Sequence, residues 1–139
     1  NASRLYAEIE FALKQQRISQ AQNLLQEMDN NYSDSPYQYQ SHLALAKLQM
    51  DTLDYDNAII QLEFVMDNAS DKSFKHIARL RIARIMVEQN QLDQALLLLD
   101  SVSIIPDSYA PYYQSVKGDI YTSQGLLDKA KSAYSMALQ

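Results

Sequence analysis

Residues 80–84 read Leu-Arg-Ile-Ala-Arg and residues 95–100 read Ala-Leu-Leu-Leu-Leu-Asp, and this pairing of stretches recurs along the chain. Four alanines fall 37, 37 and 35 residues apart: Ala21, Ala58, Ala95 and Ala130. Twelve residues before each alanine lie Ile9, Ala46, Ala83 and Gly118. Four residues after each alanine lie larger side chains: Leu25, Leu62, Leu99 and Tyr134. A repeat in four units therefore covers nearly all of the 139 residues.

The spacing is typical of tetratricopeptide repeats, in which two antiparallel helices form a hairpin. Two helices approach closely only where one side chain is small, and neighbouring hairpins must stack to bury their apolar faces. With two Gly and three Pro, the composition also favours helix over sheet. We predict an all-α fold, a tetratricopeptide-like right-handed superhelix of about four helical hairpins over residues 1–139.

Capping and turn residues place the helix boundaries. Pro36 and Pro111 suit first helical turns, whereas Asp54, Asn90 and Gly125 suit the turns within hairpins. The predicted helices are 4–16, 19–31, 36–51, 55–68, 73–89, 92–104, 109–123 and 127–138. Because Ile9 stands where a small residue is usual, we expect the first helix to pack loosely or to continue upstream.

Both ends of the sequence carry further expectations. Asn1 and Ala2 are interpreted as a remnant of cloning, and the helical pattern stops abruptly at Gln139. The last repeat is expected to expose an apolar edge, which a missing segment or a second copy would cover, allowing a homodimer. That edge includes Leu127, Tyr134 and Leu138.

Composition disfavours several functional classes. A net charge of −5 argues against binding nucleic acid or an anionic membrane surface, both of which select basic proteins. The absence of cysteine excludes disulfides, thiolate metal sites and a cysteine nucleophile. The longest wholly apolar run, Ala95–Leu99, is far too short to span a bilayer.

No motif for catalysis is present, so we expect a protein that is not an enzyme and needs no cofactor or metal. His42 and His76 are the two histidines, and we interpret both as surface residues. Tyr121 and Tyr134 occupy repeat-core positions and are expected to pack between helices.

The first helices of successive hairpins line the concave face of such stacks, and this face is the predicted site for protein partners. Its mixture of aromatic, apolar and charged residues suits an extended peptide, an unfolded segment or another helical protein. The predicted partner-binding residues are Tyr6, Lys14, Lys47, Met50, Arg84, Val87, Tyr112 and Asp119, with Glu10 beside them.

The third and fourth repeats also resemble a particular family, the YfgM family. The resemblance rests on Leu80-Arg81-Ile82-Ala83-Arg84, on Ala95-Leu96 and Leu99-Asp100, on Gly118-Asp119, and on Ser132-Ala133-Tyr134, with Leu43-Ala44-Leu45-Ala46 in the second repeat. It implies a bacterial inner-membrane protein with one N-terminal transmembrane helix, outside this sequence, and a periplasmic tetratricopeptide-like domain.

The resemblance further implies an ancillary subunit of the Sec translocon, involved in protein transport beside a periplasmic chaperone of the prolyl-isomerase type. It brings no catalytic residues. Arg81 is interpreted first as a salt-bridge or carbonyl-capping residue and second as a partner contact. Two alternatives stay open: a soluble cytosolic co-chaperone adaptor that captures peptide tails, and a structural subunit of an envelope assembly complex.

Overall fold

A computed structural model describes all residues from Asn1 to Gln139 and contains eight α-helices and no strand. The helices are α1 (Ala2–Lys14), α2 (Ile18–Asn31), α3 (Pro36–Asp51), α4 (Tyr55–Asn68), α5 (Lys72–Glu88), α6 (Leu92–Asp100), α7 (Ala110–Ser123) and α8 (Leu127–Ala137). The all-α class and each predicted helix are confirmed. None of the helices is both long enough and apolar enough to cross a bilayer.

One predicted boundary is wrong, because α6 ends at Asp100 and does not continue to residue 104. Ser101 ends the helix: its N–H and its hydroxyl both donate to the Leu98 carbonyl oxygen, at 3.3 and 2.6 Å. The hydroxyl thereby satisfies a carbonyl that the next helical turn would otherwise use.

The helices form two compact units, Asn1–Ala78 and Arg79–Gln139, which we call the N-terminal unit and the C-terminal unit. The N-terminal unit contains α1 to α4 and the start of α5, and the C-terminal unit contains the remainder. Each unit has its own apolar cluster, with Leu25 and Met28 in the first and Leu99 and Tyr113 in the second.

The recurring positions lie in the cores of the hairpins. Buried at these positions are Ala21, Ala58, Ala95 and Ala130 on second helices, and Ile9, Ala46, Ala83 and Gly118 on first helices. Ile9 is 0% exposed and belongs to the N-terminal apolar cluster with Leu5, Leu13 and Leu25. The expectation of a loosely packed first helix is therefore wrong, since this site accommodates a full isoleucine.

The fourth repeat fills its core differently from the others. A Cβ atom on Gly118 would lie 2.6 and 2.7 Å from Cδ1 and Cζ of Tyr134, which is closer than such contacts occur. The second and third repeats instead pair alanine with leucine at the equivalent positions. Glycine is thus what permits an aromatic ring at the Tyr134 position.

The four turns within hairpins share one backbone geometry. A left-handed residue ends each first helix, with φ of 55° at Gln16, 63° at Leu53, 58° at Asn90 and 76° at Gly125. The next N–H bonds back to the carbonyl five residues earlier, as Asp54 does to Gln49 at 2.7 Å and Leu126 to Tyr121 at 2.8 Å. Asp54 precedes α4 without a side-chain capping bond, and Leu53 holds the left-handed position.

The interpretation of both histidines as surface residues is wrong, because His42 and His76 are buried. The His42 ring stacks on Phe64 with centroids 4.2 Å apart. Its Nε2 lies 2.8 Å from an Asp29 carboxylate oxygen and its Nδ1 lies 2.7 Å from Oε1 of Gln61. Burial is tolerated because both ring nitrogens have polar partners.

The last hairpin exposes part of its apolar surface, as expected. Leu127 is 69% exposed and Leu138 is 89% exposed. Tyr134 differs from that expectation because it is half-buried against Gly118, which agrees with its predicted packing role. Tyr121 is also half-buried, and the Lys129 ammonium lies 5.9 Å from its ring centroid.

Candidate functional site

In the N-terminal unit, helices α1 and α3 lie side by side and run in the same direction. Near their beginnings the rings of Tyr6 and Tyr37 pack with centroids 5.6 Å apart. Towards their ends an open depression of about 260 Å³ separates the two helices, and we call it the α1–α3 groove. It is lined by Glu10, Leu13, Lys14, Ala44, Lys47, Leu48 and Asp51.

The groove has an apolar floor and charged rims. Leu13 is buried, and Ala44 and Leu48 pack against the N-terminal apolar cluster. Lys14, Lys47 and Asp51 are exposed on the rims and Glu10 is half-buried. The ion pairs of the chain include His42–Asp29, Arg84–Asp119 and Lys117–Asp100, and none of these pairs contains a residue of the groove rims. The rim charges are therefore not engaged in ion pairs with each other.

Two other predicted residues of the N-terminal unit lie near the groove but outside its lining. Tyr6 is half-buried, and burial together with the neighbouring Glu10 carboxylate raises its pKa. Met50 is also half-buried on α3. The structure thus brings Lys14 and Lys47 together in one groove, with Tyr6 at the N-terminal end of the same helix pair.

In the C-terminal unit, Arg84 and Asp119 come together as a pair. Nη1 of Arg84 lies 3.6 Å from one carboxylate oxygen of Asp119, and both side chains are almost half exposed. The Tyr134 hydroxyl donates to the other oxygen at 2.5 Å, and this hydrogen bond raises the pKa of Tyr134. Asp119 therefore has an internal role, which is to join α5, α7 and α8.

The remaining predicted residues of this unit differ in accessibility. Val87 is half-buried and packs against the C-terminal apolar cluster, so its side chain contributes to the core. Tyr112 is 58% exposed in the first turn of α7 and is available to a partner. Arg81 is half-buried, and loss of water lowers the pKa of its guanidinium.

Sequence reasoning missed a polar network in the N-terminal unit. Nε2 of Gln38 donates to Asp29 at 2.8 Å, and Oε1 of Gln38 accepts from the Asp34 N–H at 2.7 Å. Asp29 also accepts from His42, so the network joins α2 to α3. Spacing held a usable signal: His42 precedes the buried Ala46 by four residues and so shares its helix face.

Another depression, of about 350 Å³ and with a polar lining, lies at the end of the same network. Asp34 accepts hydrogen bonds from the Tyr39 hydroxyl and the Ser70 hydroxyl, both at 2.8 Å. Burial and the Asp34 carboxylate raise the pKa of Tyr39 to about 12. These groups satisfy one another, and the described chain contains no group of three or more potential ligands placed to hold a metal ion.

Comparison with protein families shows that the chain matches the tetratricopeptide repeat-like domain over residues 1–139. Neither the curated proteins nor the solved structures include a significant match to the chain. Domains of this family are typically non-catalytic modules for protein–protein interaction. The repeat spacing, the eight helices and the match over the whole length lead to one conclusion: the chain belongs to the tetratricopeptide repeat-like domain family.

Proposed function

We propose that this chain is the periplasmic domain of a bacterial inner-membrane protein that assists the Sec translocon, working beside a periplasmic chaperone of the prolyl-isomerase type. The proposal combines the family's role in protein binding with the YfgM-like residues of the second, third and fourth repeats. In this proposal the chain binds folded or unfolded protein and catalyses no reaction.

The observation that carries the binding role is the α1–α3 groove. It combines an apolar floor with charges of both signs that form no ion pair with each other, which is the combination that gives a protein interface both affinity and selectivity. Tyr112 is the exposed aromatic anchor that the C-terminal unit offers. Arg84 is a weaker candidate than the sequence indicated, because removing it also breaks its ion pair with Asp119.

A pull-down from native membranes tests the proposal. The full-length protein with Lys47→Glu is expected to recover less translocon and chaperone than the parent, because charge reversal on a rim slows association. Lys72→Glu is the matched control, since Lys72 is equally an exposed lysine of the N-terminal unit but lies outside the groove. Tyr112→Ala is expected to cost about 1–3 kcal/mol of affinity if the C-terminal unit also binds.

Three results would contradict the proposal. Equal recovery by folded Lys47→Glu, Tyr112→Ala and parent proteins would remove the first-helix surfaces as the binding site. Loss only in Leu138→Asp would place the contact on the exposed edge of the last hairpin. Recovery of cytosolic chaperones, or of outer-envelope assembly subunits, in place of the translocon would favour one of the two alternatives.

A further inference from the structure

The chemistry of the α1–α3 groove narrows the kind of partner that can occupy it. Its floor is made by aliphatic side chains, Leu13 and Leu48, with Ala44 leaving room between them. A volume of about 260 Å³ accommodates aliphatic side chains but no globular surface. The occupant must therefore project apolar side chains from a narrow element.

The rims carry a definite charge pattern. Glu10 and Lys14 are four residues apart on α1, and Lys47 and Asp51 are four residues apart on α3. Each pair is thus spaced by one helical turn. The two helices run in the same direction. From N- to C-terminus, the α1 rim therefore carries a negative and then a positive charge, and the α3 rim carries a positive and then a negative charge.

We infer that the α1–α3 groove binds an amphipathic helix of a protein partner, whose apolar seam lies on the floor. Each flank of this helix carries one acidic and one basic residue, and their order along one flank is the reverse of their order along the other. A helix presents charged residues at i and i+4 on both sides of an apolar seam, at the spacing of the rims. This inference rests on the proposed function only in taking the groove as a protein-binding site.

The pattern also disfavours occupants of a single charge sign relative to a matched helix. A uniformly basic or acidic segment would meet a like charge on each rim, and like charges across an interface reduce affinity. The charge pattern of the rims has two-fold symmetry. Turning the bound helix end for end moves each flank to the other rim and reverses the order of its charges, so the same opposite charges meet again. A matched helix is therefore matched in either direction, and its orientation does not need to be known for a test.

Two synthetic helical peptides of identical composition test the inference. Both are stapled so that their helicity is equal, and both carry the same leucine seam. Peptide one has, from its N- to its C-terminus, Lys then Glu on the flank that faces α1 when the peptide lies parallel to α1, and Glu then Lys on the flank that faces α3. Peptide two has Lys then Glu on both flanks. Binding is measured to the 139-residue chain and to the double variant Lys47→Glu/Asp51→Lys, which reverses one rim without changing the net charge.

The parent chain is expected to bind peptide one about tenfold more tightly than peptide two at low ionic strength, and the double variant is expected to reverse this order. Added salt should reduce both preferences. Amide chemical shifts should move for Leu13, Ala44 and Leu48. Binding of neither peptide, equal binding of both, or an order unchanged in the folded double variant would overturn the inference.

The peptide-binding experiment and the membrane pull-down can fail independently of each other. If the peptides show the exchanged preference but membranes yield no translocon, the groove chemistry holds and the partner is another helical protein. If the translocon is recovered through Lys47 but the peptides show no preference, the groove binds its partner by a different element and the inference falls.

Discussion

The two units of this chain solve the same packing problem with different chemistry. All five buried polar residues, which are Gln38, Ser41, His42, Gln49 and His76, lie in the N-terminal unit. In the C-terminal unit the buried residues are instead of hydrophobic types such as Leu99, Tyr113 and Ile120, and the Tyr113 hydroxyl accepts a hydrogen bond from Arg79 at 3.1 Å. A shared repeat spacing therefore fixes where side chains are buried without fixing whether they are polar.

The surfaces of the two units differ as well. The N-terminal unit carries 11 acidic and 6 basic residues, so the whole net charge of −5 belongs to it, whereas the C-terminal unit has 6 of each. Seven of the eleven exposed large apolar residues lie in the C-terminal unit, among them Leu97, Ile104 and Tyr112. The N-terminal unit is thus suited to charge-selective contacts and the C-terminal unit to apolar anchoring.

The strongest way to break the shared pattern is to enlarge a recurring alanine. Ala95 is fully buried in the C-terminal cluster, so Ala95→Leu should overpack it and lower the free energy of unfolding by about 1–3 kcal/mol. Thermal or denaturant unfolding measures the change. Leu97→Ala, at a position of the same helix that is 72% exposed, is the control and should stay within about 0.5 kcal/mol. An unchanged melt for Ala95→Leu would refute the repeat register.

The Gly118–Tyr134 pair sharpens the comparison between the fourth repeat and its neighbours. Gly118→Ala should destabilise the chain by about 1–2 kcal/mol, because the new methyl group displaces the Tyr134 ring and breaks the hydrogen bond from its hydroxyl to Asp119. Adding Tyr134→Leu recreates the alanine–leucine pairing of Ala46 with Leu62 and should recover most of the loss. A double variant that is as unstable as the sum of its single changes would show that the two positions are not coupled.

Much of the fold follows from sequence, because alanine spacing reports helix contacts directly. From Ala21 onward, an alanine recurs at the equivalent position every 35 to 37 residues, and this spacing locates the hairpins. The end of α6 was missed because Ser101 competes for a backbone carbonyl through its side chain, which apolar periodicity does not record.

The candidate site was only partly predictable, for a similar physical reason. Lys14 and Lys47 were placed by helix periodicity, which gives the outward direction of a side chain. Periodicity does not tell whether an outward charge is free or paired, and so the engagement of Arg84 with Asp119 was not anticipated. The burial of His42 was not predicted, because the polar character of histidine was given more weight than its position four residues before the buried Ala46.

The turns offer a smaller test of the two units. Leu53 holds a left-handed φ of 63° while 71% exposed, whereas Gly125 meets the same requirement without a side chain. Leu53→Gly should therefore stabilise the N-terminal unit by up to about 1 kcal/mol, and Gly125→Ala should destabilise the C-terminal unit by a similar amount. Denaturant midpoints of both variants check the two signs. A destabilised Leu53→Gly would mean that the leucine side chain contributes packing that its exposure does not suggest.

The polar network predicts a modest dependence of stability on pH. Burial alone would raise the pKa of Asp29, but hydrogen bonds from His42 and Gln38 bring it below its ordinary value of 3.8. A carboxylate with a lowered pKa stabilises the folded state above its unfolded pKa and loses that contribution as pH falls through the folded pKa. Stability should thus decline below about pH 4, and the decline should be shallower in Asp29→Asn. Identical acid unfolding curves would exclude this role for Asp29.

Site-specific photo-crosslinking in native membranes tests the central claim, that the groove of the N-terminal unit binds a protein partner. A photoreactive residue replacing Lys47 on the rim of the groove is expected to crosslink to a discrete protein band, and the same residue replacing Lys72 is expected to give none. Crosslinks of equal yield at both positions, or a discrete band from position 72 alone, would contradict the account.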